Sequence, residues 1–264
     1  MGGVEFPSSE PLMTDPAKKS ILETPPSGGG GDSARAVTIG VFAKHWTPGE
    51  TKTRLASTLG DETAAEASRL FLGTTVQRIS SLGYSNTLAF TPAEQSEAFE
   101  ELTAGKPWTV TPQPSGTLGD RMRWFFDRAF WSGSSAAVLL GSDSPDFPVD
   151  AVEQAIELLT REKSPMRTVL GPSDDGGYWL VGARIAAPPI FGNLPWSTPE
   201  LFGATIGRML AEGWVEDKDF ARIGVWSDVD NEEDLATLRA RLAGASDDPA
   251  LAGLKESLDR LLGS

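Results

Sequence analysis

The stretch AVTIGVFAKHWTPGETKTRL, Ala36–Leu55, sets the pattern for the chain. Its β-branched, apolar opening AVTIGVFA reads as a buried strand. A Pro-Gly turn follows, with Lys44 before it and Lys52 and Arg54 behind it. The same succession of short strand, turn-rich loop and amphipathic helix recurs along the sequence. NTLAF, WTVTP, AAVLLG, TVLG, YWLVGA and RIGVW read as further strands. DETAAEASRLFLGTTVQRISSLG, AEQSEAFEEL, GDRMRWFFDRAFW, PVDAVEQAIELLTRE, TPELFGATIGRMLAEG and NEEDLATLRARLAG read as the helices between and after them. Alternation of this kind predicts an α/β fold, a mostly parallel mixed sheet with helices on both faces.

Three basic residues in one short stretch contrast with a formal net charge of −14 over 264 residues. That balance argues against general binding of nucleic acid or an anionic membrane, since both need a broad basic surface. The positive charge after the first strand must serve something small and local. A 39% hydrophobic content suffices for a sizeable core. No apolar run is long enough to span a bilayer, and the first residues lack the basic start and apolar stretch of a secretion signal, so a cytoplasmic location is expected. Cys is absent and His45 is the single histidine, which excludes thiolate chemistry and imidazole metal clusters. A bound metal must therefore be a hard cation held by oxygen.

Residues 1–34, rich in Pro, Gly and Ser, read as a disordered tail. Residues 35–242 form the expected domain. Residues 243–264 read as a helical extension, with DPALAGLKESLDRLLGS an amphipathic helix capped near Asp248. Trp124 and Trp131, seven apart on one helical face, are expected to pack rather than to stack on bases.

Ligands of such a sheet sit beyond the carboxyl ends of its strands, which directs attention to four loops. In KHWTPGETKTR, Trp46 and Thr51 stand where an ATPase-type phosphate loop needs glycines. What remains is backbone amides freed by Pro48-Gly49, with Lys52 and Arg54 near a helix start, as a site for an anionic phosphate. The plainer alternative is a solvated loop whose cations pair with nearby carboxylates. In LLGSDSPDFP, Asp143 ends a strand where a divalent cation could bridge it to a diphosphate. Ser144 or Asp146 could instead cap the helix after Pro148. In GPSDDGGYWLVG, Gly176 and Gly177 allow close approach to a ligand beside Asp174 and Asp175, although a plain hairpin also uses Asp-Gly. In VWSDVDNEEDL, Asp228 and Asp230 share one face if the chain is extended, with Asp230 or Asn231 available to cap the last helix. A basic grip after the first strand and carboxylates after three later ones suit a metal–nucleotide complex.

These motifs, VFAK…TPGETKTRL, QPSGTLGDRM, LLGSDSPDFP, GPSDDGGYWLVG, LPWST and WSDVDNEEDL, resemble in order a bacterial group of glycosyltransferase-like proteins catalogued as a domain of unknown function. That group is related to the nucleotide-diphospho-sugar transferases. It is more distantly similar to nucleotidyltransferases that activate molybdopterin and phospholactate or phosphoenolpyruvate. The resemblance spans about Ala36 to Leu242. It implies a single Rossmann-like, GT-A type domain with a nucleotide pocket beneath the first strand and Lys44, Lys52 and Arg54 at the phosphates. It implies Asp143, joined by Asp228 and Asp230, as ligands of Mg²⁺ or Mn²⁺. Gly116 and Gly119 would lie against the nucleobase with Arg121 beside them. Asp175, Gly176, Gly177 and Tyr178 would face the acceptor or sugar, with Trp196, Ser197 and Thr198 on a nearby loop. Two positions depart from the group: Trp46 replaces a usual proline and Thr117 a common aspartate.

The function expected on these grounds is metal-dependent glycosyl transfer from a nucleotide-diphosphate sugar to a small-molecule acceptor, with Asp175 as base. Nucleotidyl transfer, which uses an NTP and releases pyrophosphate, is the enzymatic alternative. A catalytically weak nucleotide-binding protein is the non-enzymatic one.

Overall fold

The alternation of β1 (Val37–Lys44) sends Ile39 and Val41 to one side of the strand and Thr38 and Phe42 to the other, so both sides of it must be covered. The structure, a computed structural model, describes residues 36–184, 189–245 and 247–263. The expected tail, residues 1–34, lies outside the described residues. The other strands are β2 (Ser85–Thr91), β3 (Trp108–Pro112), β4 (Ala136–Gly141), β5 (Thr168–Pro172), β6 (Tyr178–Ala183) and β7 (Phe220–Arg222). Among the described residues they form one sheet in the order β3-β2-β1-β4-β6-β5-β7. All neighbours are parallel except β6, which runs against β4 and β5.

The helices are α1 (Thr53–Leu59), α2 (Asp61–Ser80), α3 (Ser96–Thr103), α4 (Leu118–Trp131), α5 (Val149–Thr160), α6 (Leu201–Ala211), α7 (Glu232–Leu242) and α8 (Pro249–Leu262). Helices α2, α3 and α5 bury Val76, Phe99 and Ile156 against Ile39, Leu88 and Val138 on one face. Helices α4 and α6 bury Phe125, Phe126 and Met209 against Leu139 and Val181 on the other. A third cluster joins α1, α2, α7 and α8 through Leu55, Phe71, Leu238 and Leu254, so the last helix shares its core with the first ones. No helix of the described residues is long and apolar enough to cross a membrane.

Two readings shift. RIGVW is not a strand: β7 ends at Arg222, and beyond it only Trp226 makes a bridge, to Ser173. Its neighbour β5 ends at Pro172, which has no N–H to extend the ladder. Trp124 packs against the α4 cluster, but Trp131, the last residue of α4, is 47% exposed because the core ends before the helix does.

Arg78 fastens these parts together. Its guanidinium, 7% exposed, donates to the carbonyls of Pro145 at 3.0 Å and Phe147 at 2.7 Å and to the Asp248 carboxylate at 2.8 Å. Asp248 also caps α8, accepting from Ala250 and Leu251. Burial alone would raise the Asp248 pKa, but Arg78 and the α8 amides outweigh it and hold the carboxyl below its ordinary value. The bridge therefore contributes stability above that ordinary value and loses it as pH falls through the lowered one. Asp248→Ala removes a cap and strands a buried cation, so the cost should be about 2 kcal/mol or more. Urea denaturation near neutral pH should show that loss, and the gap to wild type should shrink in acid.

Candidate active site

Because β6 runs backward, its first residue, Tyr178, lies at the same sheet edge as the carboxyl ends of β4 and β5. The Ser173–Gly177 turn therefore joins the loops after β1, β4 and β7 at one edge. Backbone and side-chain bonds tie these loops together. Val229 N donates to Asp143 O at 2.9 Å, Ser144 Oγ to Asp228 at 2.6 Å, and Ser227 Oγ to Asp174 at 2.6 Å.

At the centre stands Lys52. Its Nζ lies 2.6 Å from Asp143 and 2.9 Å from Asp230, and its side chain is 5% exposed. The backbone at Lys52 is left-handed, φ 47°, an uncommon state for a residue with a side chain and one that clusters at functional positions. Desolvation is the largest single influence on its pKa and acts to lower it, but the two carboxylates together keep the ammonium above its ordinary value. Asp143 and Asp230 remain 44% and 43% exposed, so their free oxygens are open to a ligand.

Two cavities meet at this cluster. The first, about 470 Å³, is lined by Lys44, Lys52, Arg54 and Arg121. The second, about 740 Å³, is lined by Asp175, Gly177, Tyr178, Thr198 and Asp228. Phe42, Arg54, Leu118, Asp143 and Asp230 belong to both walls. In the first cavity Gln113 holds Arg121: its amide nitrogen donates to Ala89 O at 2.8 Å, and its oxygen accepts from Arg121 Nη1 at 3.2 Å. Arg121 Nε is buried without a partner among the described residues, a donor left for an anion. In the second cavity Asp175 Oδ1 accepts from Gly177 N at 2.9 Å, which fixes the carboxylate within the turn. Burial pushes the Asp228 pKa up to about 6; the charges of Asp143 and Asp175 add to the rise, against the Ser144 bond and Lys52.

The structure thus gathers Lys44, Lys52, Arg54, Arg121, Asp143, Asp175, Gly177, Asp228 and Asp230 around two joined chambers. Gly116, Gly119 and Gly176 line neither. Gly116 lies against the Asp120 carboxylate, and a Cβ on Gly119 would come within 2.6 Å of the Phe191 carbonyl and 2.7 Å of Trp196, so Gly119 permits packing of α4. Leu118 and Arg121 take the place at the cavity wall. Gly176, φ 88°, passes beneath the Pro199 carbonyl where a Cβ would collide, and its own carbonyl accepts from Phe202. Neither Ser144 nor Asp146 caps α5, whose N-cap is Pro148. Asp146 is buried on Arg241 and Trp226 instead. Asn231, with Asp234, makes the capping box of α7 and leaves Asp230 to Lys52. Thr117 caps α4 in the same way with Asp120, a role an aspartate would also fill. Trp46 stacks on His45 and meets Phe99 edge-on at 5.3 Å, anchoring the loop to α3. Gln113 escaped the sequence reading although it directly follows β3, where the strand-end rule points.

The donor set suits a hard divalent cation in part. Oxygens of Asp143 and Asp230 already converge on one positive charge, that of Lys52, while Asp228 turns to Ser144. Among the described residues no three carboxylates form a ready metal cage. Phosphate oxygens and water would have to complete the shell, which is how Mg²⁺ is commonly held.

Comparison with known proteins now adds to the geometry. Residues 75–198 match the model of the DUF2064 family. The family is described as an uncharacterized protein conserved in bacteria. The matched segment includes Gln113, Arg121, Asp143 and Asp175. No curated protein matches the sequence. A crystal structure from Desulfovibrio desulfuricans G20, described provisionally as a nucleotide-diphospho-sugar transferase, is similar at TM-score 0.75 and 28% identity, over 86% of this chain and 96% of that one. A cytidylyltransferase from Leptospira borgpetersenii serovar Hardjo-bovis (strain JB197) is similar at TM-score 0.54 and 15% identity, over 86% and 94%. A 4-diphosphocytidyl-2C-methyl-D-erythritol synthase from Anaerococcus prevotii DSM 20548 is similar at TM-score 0.52 and 10% identity, over 80% and 97%. The last two speak for the fold alone: a mixed, mostly parallel sheet of the nucleotidyltransferase and nucleotide-diphospho-sugar transferase kind.

The crowding at Asp228 has a measurable sign. Its pKa is higher folded than unfolded, so stability is complete below the unfolded value near 4 and declines as pH rises through about 6. Asp228→Asn should therefore match wild type in acid and exceed it by about 2 to 3 kcal/mol above pH 7, a figure set by the size of the shift. Urea denaturation at both pH values without divalent ions checks this; equal stability at neutral pH would refute the burial argument.

Proposed function

We propose that the chain is a transferase that moves a sugar from a nucleotide-diphosphate donor to a small-molecule acceptor, assisted by Mg²⁺ or Mn²⁺. The observation that carries this reading is the pair Asp143 and Asp230, joined by Lys52, on the wall shared by a cationic and a carboxylate-lined chamber. The provisional description of the Desulfovibrio desulfuricans relative supports the same class.

In this reading the nucleoside diphosphate occupies the first chamber, with Lys44, Arg54 and Arg121 on its phosphates. A cation held by Asp143 and Asp230, with Asp228 close by, would neutralise the charge that develops on the departing diphosphate. Lys52 changes partner from carboxylate to phosphate as that charge grows, so its stabilisation is largest in the transition state. Asp175, held by the Gly177 amide, takes the proton of the acceptor hydroxyl. Gly176 and Gly177 keep the turn tight against the Pro199 backbone.

Nucleotidyl transfer is the second reading. The observation in its favour is that Arg54 and Arg121 carry no ion pair to a carboxylate among the described residues, which leaves charge enough for a triphosphate.

Product analysis separates the two. Incubation with a panel of nucleotide sugars and NTPs, with and without Mg²⁺ or Mn²⁺, should release nucleoside diphosphate from one sugar donor; release of pyrophosphate from an NTP would replace this proposal with the second. Asp143→Asn should abolish the metal-dependent part of the nucleotide-induced thermal shift. Asp175→Asn should keep that shift and lower kcat about 10²- to 10⁴-fold, the usual worth of a general base.

A further inference from the structure

We propose that the second cavity takes an acceptor without negative charge: a neutral alcohol or a primary amine on an apolar body of about aromatic size. This rests on the transfer reading above and names the substrate class of that site. Three observations lead to it. The first is charge. Asp175 and Asp228 line this cavity alone, Asp143 and Asp230 stand at the shared wall already paired with Lys52, and Arg54 is the one basic residue among the described residues of its lining. The neighbouring cavity carries Lys44, Lys52, Arg54 and Arg121 against Glu50, Asp143 and Asp230. A phosphate or carboxylate nucleophile would enter against like charges at short range, in surroundings that screen poorly.

The second is the wall itself. Leu118, Met122, Leu139 and Val181 line it together with the Tyr178 ring. The Tyr178 hydroxyl is bonded to Thr205, whose own hydroxyl donates to Leu201 O at 2.9 Å. The ring therefore offers a ligand its apolar surface, braced by Phe202 at 6.0 Å, and not its oxygen. The third is volume. About 740 Å³ exceeds what one sugar ring fills, and leaves room for an acceptor body beside it.

The chemistry balances within these groups. The acceptor oxygen or nitrogen bonds to the anomeric carbon as its proton passes to a carboxylate. The bond from that carbon to the β-phosphate oxygen breaks, and its electron pair leaves with the nucleoside diphosphate. An attacking phosphate or carboxylate, as a nucleotidyl transfer could use, meets among the described residues of this chamber only Arg54, which the cationic cavity shares.

Ligand-observed NMR on the full chain tests the idea, with benzyl alcohol, benzylamine and benzyl phosphate as probes at equal concentration. Magnesium pyrophosphate is present to fill the cationic cavity. Benzylamine and benzyl alcohol should give saturation transfer, with benzyl phosphate weaker by about tenfold, the effect of one close like-charge contact. Thr198→Trp, a loop change at the wall of the second cavity only, should remove both positive signals and leave the pyrophosphate-induced thermal shift unchanged, which also shows that the variant is folded. Benzyl phosphate bound as well as benzylamine in a Thr198-dependent manner would overturn the proposal, as would alcohol and amine signals that survive Thr198→Trp. The transfer reading is read separately: it falls if pyrophosphate gives wild type no thermal shift.

Discussion

The buried ammonium of Lys52 is the constraint around which the ligand edge of the sheet is organised. Removing one charge from water is costly unless opposite charges come with it. Lys52 sits after β1, Asp143 after β4 and Asp230 after β7, so satisfying that one cation brings three distant loops to a point. The left-handed backbone at Lys52 is the local strain that this arrangement holds in place. The pair of bonds is not inert, because both carboxylates keep open oxygens. A ligand that brings its own charge can take over either partner without leaving the other buried and alone.

Charge is divided unevenly across the cluster. On one side the cations exceed the acids, and Arg121 keeps a buried donor unpaired. On the other side burial, with the nearby acids adding to it, pushes the Asp228 pKa up to about 6. Elsewhere the chain matches its buried charges closely: Arg78 meets Asp248 and two carbonyls, and Arg241 meets Asp146. The chambers differ in this from those two paired sites, and a surplus of charge beside an open cavity suits a site that takes charged and polar ligands.

Much of this was legible because strand ends in an α/β sheet carry the ligand loops. That rule points to Lys52, Asp143, Asp175 and Asp230, which the structure brings to the walls of the two cavities. The remainder depended on packing, which spacing alone does not encode. Gly119 looked like a base-facing glycine, yet its missing side chain makes room for Trp196. Asp146 looked like a cap, yet the N-cap of α5 is Pro148 and the carboxylate turns to Arg241, about a hundred residues away in sequence. RIGVW had the composition of a strand, but its partner β5 runs out at Pro172, which has no N–H to donate. Composition named the residue types correctly in each case; the long-range neighbour decided the role.

The departures at Trp46 and Thr117 illustrate how a fold absorbs change beside a site. Thr117 keeps the capping box of α4, so the helix that carries Leu118 and Arg121 to the cavity wall starts where an aspartate would also start it. Trp46 holds its loop by stacking on His45 and meeting Phe99 edge-on, where a proline would hold it by restricting φ. In both cases the local device differs while the backbone that presents Lys52 and Arg121 is still anchored. The Lys52–Asp143–Asp230 junction depends on that anchoring rather than on the identity of the anchor, because only the anchoring sets where a buried cation meets its two carboxylates.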